Sequence, residues 1–176
     1  VGMSMAQKWL AGNYNTNEHE LFDYDVYAVC SDGDLMEGIS SEAASMAGHW
    51  RLDNLVWLYD DNKITIDGST DIAFSEDVGA RFAAYGWQVL RCDGHDQDAI
   101  AACIREAKAD TDRPSIICCR TVIGAGAPTL QGTAKTHGAP LGDAEIRATK
   151  SAMGFDPECD FYVPDGVREF FQSRDG

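Results

Sequence analysis

Residues 25–38 read DVYAVCSDGDLMEG, an apolar run that stops at a polar turn containing a glycine. Asp25 to Cys30 is β-branched and aromatic enough for a strand, and Ser31 to Asp34 reads as the turn that closes it. Working outward, Ile39 to Trp50 carries Ala43, Ala44, Ala47 and Gly48, a small-residue helix suited to close packing. Leu55 to Tyr59 is a second apolar strand, ended by the polar cluster Asp60-Asp61-Asn62-Lys63. The alternation continues: a helix over Val78–Tyr85, a strand over Trp87–Cys92, a helix over Asp96–Ala109 and a strand over Ser115–Arg120. Strands and helices in strict alternation predict an α/β fold, a parallel sheet with helices on both faces. Ligands of such sheets bind beyond the carboxyl ends of the strands, so the positions after Cys30, Tyr59, Cys92 and Arg120 are the ones to inspect.

The bulk numbers set the partners. A chain of 176 residues with 44% hydrophobic content supports one buried core and a single domain. The net charge of −15 disfavours nucleic acid and anionic membrane as partners. A phosphorylated ligand would need local neutralisation by a metal, a helix N-terminus or a confined basic patch. No apolar run is long enough to span a bilayer, and no charged segment followed by an apolar stretch marks a secretory signal. The cysteines include the adjacent Cys118 and Cys119 and form no C-x-x-C, which points to reduced, mostly buried thiols in a cytoplasmic compartment rather than to disulfides or zinc. The opening VGMSMAQKWL has helical spacing at Val1, Met5, Trp9 and Leu10 without an N-cap before it, so residues 1–176 are expected to be a segment of a longer chain.

Asp32 offers a carboxylate oxygen at the first strand end, and Gly33 lets backbone N–H groups approach an anion. Asn62 offers an amide oxygen at the second strand end, 62 − 32 = 30 residues on, about one βαβ unit. An all-oxygen pair of this kind suits Mg2+ or Ca2+. Taken alone, Asp32-Gly33 is more often a plain turn. An EF-hand is disfavoured because a strand precedes the loop and Glu37 stands where that motif needs glycine.

Three ordered blocks, SDGDLMEGISSEA from Ser31, DDNKITIDG from Asp60 and THGAPLGDAEI from Thr136, closely resemble the transketolase family from the first helix to about Phe155. The resemblance implies the thiamine diphosphate-binding fold, here as a diphosphate-binding domain. It implies a divalent metal held by Asp32, Asn62 and the backbone carbonyl of Ile64, with Gly33 against the diphosphate and Ile64 beside the thiazolium ring. It further implies transfer of a two-carbon ketol unit between sugar phosphates, in a homodimer whose second subunit lends a pyrimidine-binding domain. Glu37 resembles a glutamate linking two active sites, although a first-turn glutamate at a helix dipole explains it equally. Ser31 departs from the family's first glycine, and a glycine-only backbone angle would be strained there. A dihydroxyacetone synthase-like transferase shares these blocks, deoxyxylulose-phosphate synthase lacks two of them, and a non-catalytic cofactor-binding homologue is the alternative outside enzymology.

The segment Thr121 to Leu141 reads as a long irregular loop, and from Thr121 to Gly142 it holds no Asp or Glu. Arg120, Lys135 and His137 make it a basic island in an acidic chain. By resemblance His137 is the catalytic histidine, reaching both diphosphate and substrate; its imidazole titrates near pH ~6.5 when unperturbed. His49 reads as packing or capping, His95 as part of a turn with Asp96 as N-cap, and His19 as exposed. Trp9, Met46, Trp50 and Trp57 read as core or interface.

Overall fold

The computed structural model describes residues 1–174. Helix α1 (Gly2–Tyr14) leads to strand β1 (Val26–Ser31), a short helix α2 (Asp32–Met36) and α3 (Gly38–His49). Strand β2 (Leu55–Asp61) is followed by a small hairpin of β3 (Ile64–Thr65) and β4 (Gly68–Ser69). Then come α4 (Val78–Ala84), β5 (Gln88–Asp93), α5 (Gln97–Ala109), β6 (Ser115–Arg120), α6 (Asp143–Ala152) and α7 (Val167–Gln172). Two expectations shift. The polar turn after β1 is already helical from Asp32, and a hairpin follows Asn62. The hairpin is too short to leave a periodic trace in sequence.

The main sheet has the order β1-β2-β6-β5, and every pairing in it is parallel. The β1-to-β2 and β5-to-β6 crossovers run in opposite directions along the sheet. Right-handed connections therefore put their helices on opposite faces. Period-two alternation feeds both sides. Leu55, Trp57 and Tyr59 of β2 join Ala44, Ala47, Val78 and Phe82 on one face. Val56 and Leu58 join Ile117, Cys119, Ile104 and Ala107 under α5 on the other.

The first face is the better sealed. Trp87 packs edge-on to Trp57 at 5.0 Å and to Phe82 at 5.1 Å, and its Nε1 donates to the Ala44 carbonyl at 2.8 Å. The small residues of α3 allow this. A Cβ at Gly48 would lie 1.8 Å from the Tyr85 carbonyl oxygen, so α3 meets the end of α4 only because position 48 has no side chain. A buried polar knot ties α1 to the turn before β2: Ser4 Oγ donates to Asn54 Oδ1 at 2.5 Å, and Asn54 Nδ2 donates to Gln7 Oε1 at 2.9 Å. Of the aromatics expected in core or interface, Trp57 is buried, while Trp9 and Trp50 are exposed on this chain.

Candidate cofactor and metal site

The parallel register sets Ser31 opposite Asp60, so β1 and β2 end almost level. Asp32 follows the end of β1 as the first residue of α2, and Asn62 follows the end of β2. The two expected ligands thus sit on neighbouring strand ends. Ser31 has φ −121° and ψ −179°, extended backbone open to any residue, so its Cβ costs nothing. The Asp34 carboxylate accepts from Ser31 N at 2.8 Å and from its hydroxyl at 3.1 Å, which holds the start of α2.

Asp32 is 1% exposed and sits in a ring of donors. Tyr59 donates its hydroxyl to Oδ1 at 2.5 Å, and the Lys63 backbone N–H donates to Oδ2 at 3.2 Å. Burial, aided by the charge on Asp61, raises the Asp32 pKa, and the Tyr59 hydrogen bond opposes the rise. Among the described residues no Lys or Arg forms an ion pair with Asp32. Asn62 Oδ1 accepts from Ile64 N at 2.8 Å, and its Nδ2 donates to Asp60 Oδ2 at 3.1 Å. Between them Lys63 takes a left-handed φ of 62°, uncommon outside Gly, Asn and Asp. The hydrogen bonds on either side hold the backbone there.

These residues fit a hard divalent cation. Each Asp32 oxygen and Asn62 Oδ1 accepts one hydrogen bond from the groups described, leaving lone pairs for a metal. A buried carboxylate without a cationic partner gains from one. A Cβ built on Gly33 meets nothing within 4 Å, so the space over the α2 N-terminus is open. Ile64 lies half-buried in the hairpin, where it stands opposite Ser69.

The basic loop is built differently. His137 ends a 3-10 turn over Ala134–Thr136, and its side chain is exposed with no hydrogen-bond partner among the described residues. The structure therefore brings Asp32, Asn62 and Ile64 together and leaves His137 outside that network. The loop is pinned elsewhere. Gly132 N donates to Ile123 O at 2.7 Å, and the Glu145 carboxylate accepts from Thr129 N at 2.7 Å and Leu130 N at 3.1 Å. The His95 side chain accepts the Val122 N–H on Nε2 at 2.9 Å, which requires the proton on Nδ1. Asp96 caps α5 as expected, accepting from Asp98 N and Ala99 N.

Sequence reasoning missed Tyr59, the Asp60–Thr121 link and the His95–Val122 contact. Thr121 donates its hydroxyl to Asp60 Oδ1, joining the Asn62 corner to the start of the His137 loop. Arg120 is spent on Asp61, donating to its carbonyl at 2.9 Å. Tyr59 left one signal: a phenol on the buried face of β2 must find an acceptor. A cleft of about 610 Å3 opens beside this corner, lined by Asp61, Arg91, Asp93, His95, Arg120 and Thr121 among others. Glu37 stands at the N-cap position of α3 without a side-chain capping hydrogen bond, a place where the helix dipole favours a carboxylate.

Comparison with known proteins gives the family. The family model for the transketolase thiamine diphosphate binding domain matches residues 1–176. Transketolases of Treponema pallidum and Geobacillus stearothermophilus are each 49% identical to this chain, over 99% and 98% of it respectively. The chain spans 26% of the length of each, about a quarter. Among solved structures, transketolase from Pichia stipitis superposes with a TM-score of 0.94 at 45% identity, over 98% of this chain and 26% of that one. Transketolase from Leishmania mexicana superposes equally at 0.94 with 38% identity, over 98% of this chain and 26% of its own. With the family model matched along its whole length and relatives near half identical, the chain belongs to the transketolase family, as its thiamine diphosphate-binding domain.

Proposed function

We propose that this chain is the diphosphate-holding part of a transketolase that moves a two-carbon ketol unit from a ketose phosphate to an aldose phosphate. The observation that carries the proposal is the buried Asp32 carboxylate, level with Asn62 and without a cationic partner. Asp32, Asn62 and the Ile64 carbonyl would hold Mg2+ or Ca2+, and Gly33 would let backbone N–H groups meet the diphosphate. Thiamine diphosphate, when bound, supplies the electron sink for carbon–carbon cleavage. The chain's own residues supply position and charge, and His137 would exchange a proton with the substrate oxygens through its imidazole.

The sugar-phosphate assignment is supported by kinship, since the Pichia stipitis relative has been solved in complex with sedoheptulose 7-phosphate. A homodimer completed by the partner's pyrimidine-binding domain is supported by apolar side chains left exposed on α2, on α3 and at the C-cap of α3, namely Met36, Ile39, Met46 and Trp50. Residues 1–176 then form one domain of a longer chain. A cytoplasmic setting accords with six free cysteines.

The test is ketol transfer by the full-length protein, with formaldehyde and ribose 5-phosphate compared as acceptors. Preference for the aldose phosphate supports transketolase. Preference for formaldehyde assigns the dihydroxyacetone synthase-like reading instead. The isolated segment is expected to bind cofactor without turnover, and measurable activity from it alone would refute the need for a second domain.

A further inference from the structure

The cysteines divide by sheet face. Cys30 and Cys118 lie on the side of α3 and α4, whereas Cys92, Cys103 and Cys119 lie together under α5. Cys92 and Cys119 are register partners on the neighbouring strands β5 and β6, and their side chains leave the sheet side by side. Their sulfurs are 3.7 Å apart. Neighbouring strands lie about 4.8 Å apart. That falls within the ~4.4–6.8 Å Cα separation that disulfides span. Closing the sulfurs to about 2.05 Å is then within reach of side-chain rotation. Cys92 also lines the cleft that contains Asp93, His95 and Thr121, which gives a small polar oxidant a route to one sulfur. Cys119, 7% exposed, waits behind it. Among the described residues no group of three or more His, Cys, Asp or Glu side chains is disposed to hold a metal ion, so these thiols are not a metal centre.

We propose that Cys92 and Cys119 form an oxidative modification site, at which a peroxide converts the two thiols into a cross-strand disulfide. The Cys92 thiolate attacks one peroxide oxygen, the O–O bond breaks, and a sulfenic acid forms as the departing hydroxide takes up a proton to become water. Cys119 sulfur then attacks the sulfenic sulfur, the S–O bond breaks, and hydroxide leaves with the Cys119 proton as a second water. Two thiols and one peroxide become one disulfide and two waters; the sulfurs lose two electrons and the peroxide gains them. The bond ties β5 to β6 just before Gly94-His95 and Thr121-Val122, the contact from which the His137 loop departs.

Both thiols are held protonated. Burial pushes Cys92 up to about 11 and raises Cys119 as well, so the pair stays idle under brief exposure at neutral pH. The attacking species is the thiolate, so the rate is expected to climb about tenfold per pH unit below that value.

The experiment treats the full-length protein with hydrogen peroxide at pH 7 and pH 8, followed by intact mass and a non-reducing peptide map. The expected result is a loss of two hydrogens, a Cys92–Cys119 cross-link reversed by dithiothreitol, and a roughly tenfold faster reaction at the higher pH. A Cys119→Ser variant should lose that cross-link and carry sulfinic acid at Cys92. Cys159, outside the cluster, reports that the oxidant acted. Cys92 and Cys119 left as thiols while Cys159 oxidises, a cross-link to Cys103 instead, or sulfinic acid at Cys92 in the unsubstituted protein would each overturn the proposal.

Discussion

Two regions meet at the carboxyl edge of the sheet and are made in opposite ways. The Asp32–Asn62 corner sets a buried carboxylate beside a half-buried amide, each tied by hydrogen bonds to its own neighbourhood and positioned by strand register. The His137 loop is exposed, turns on glycines with positive φ at Gly124, Gly126, Gly132 and Gly138, and is pinned at points distant in sequence from its histidine. The difference teaches where preorganisation is stored. A corner proposed to hold a metal is built rigid by its own chain, because misplacing a metal donor by an ångström forfeits the contact. The histidine carrier leaves its side chain free for contacts that residues 1–174 do not supply.

The sharpest break is Asp32→Asn. It keeps the shape and removes the charge, so thiamine diphosphate with Mg2+ should bind about 1,000-fold more weakly by calorimetry. The same variant without ligand should melt at a higher temperature, because the ionised carboxylate is penalised by burial in the native state. Undiminished binding would remove the metal role. His137→Gln should act on the other region: turnover of the full-length enzyme falls about 100-fold, with cofactor affinity changed far less. If affinity falls as steeply as turnover, the two regions are one rigid site and the contrast fails.

Tyr59→Phe probes the support of the corner. Losing the hydroxyl that orients Asp32 should weaken metal-dependent cofactor binding on the order of tenfold while the core packing of the ring persists. The smallest effect concerns pH. Hydrogen bonds from Thr129 and Leu130 hold the Glu145 pKa below the usual glutamate value. A lowered native pKa means that the tether is complete above the unfolded value and is lost as pH falls through the native one. Amide shifts of Thr129 and Leu130 should therefore move only under acid, below about pH 4.5. Glu145→Gln should remove that titration altogether.

Much of the first region was readable in the residues. Alternation of strand and helix patterns located all four strands of the main sheet within a residue or two, because buried parallel strands are near-continuous apolar runs. Asp32 and Asn62 were legible for the same reason, each standing just past such a run. Their supports were not. Tyr59 reads as one more apolar strand residue, and only the register of β2 against β1 reveals that its hydroxyl meets Asp32. The Thr121–Asp60 link and the His95–Val122 contact join residues 61 and 27 positions apart, separations at which local pattern carries no information. For His137 the block around it singled out the residue, while its placement depends on turns that leave no periodicity.

On the proposed metal role, the buried carboxylate would also tie the protein's survival to its cofactor. An anion sealed in at the end of β1 is penalised by its burial in the unliganded fold, and a cation bound there would repair that weakness. At a free concentration 100 times the dissociation constant, any ligand selective for the folded state adds about 2.7 kcal/mol. Molecules that fail to load would open more often and be degraded first. Cellular abundance of such an enzyme would then follow the supply of thiamine diphosphate without any dedicated sensor, the carboxylate at residue 32 serving as the inspection point.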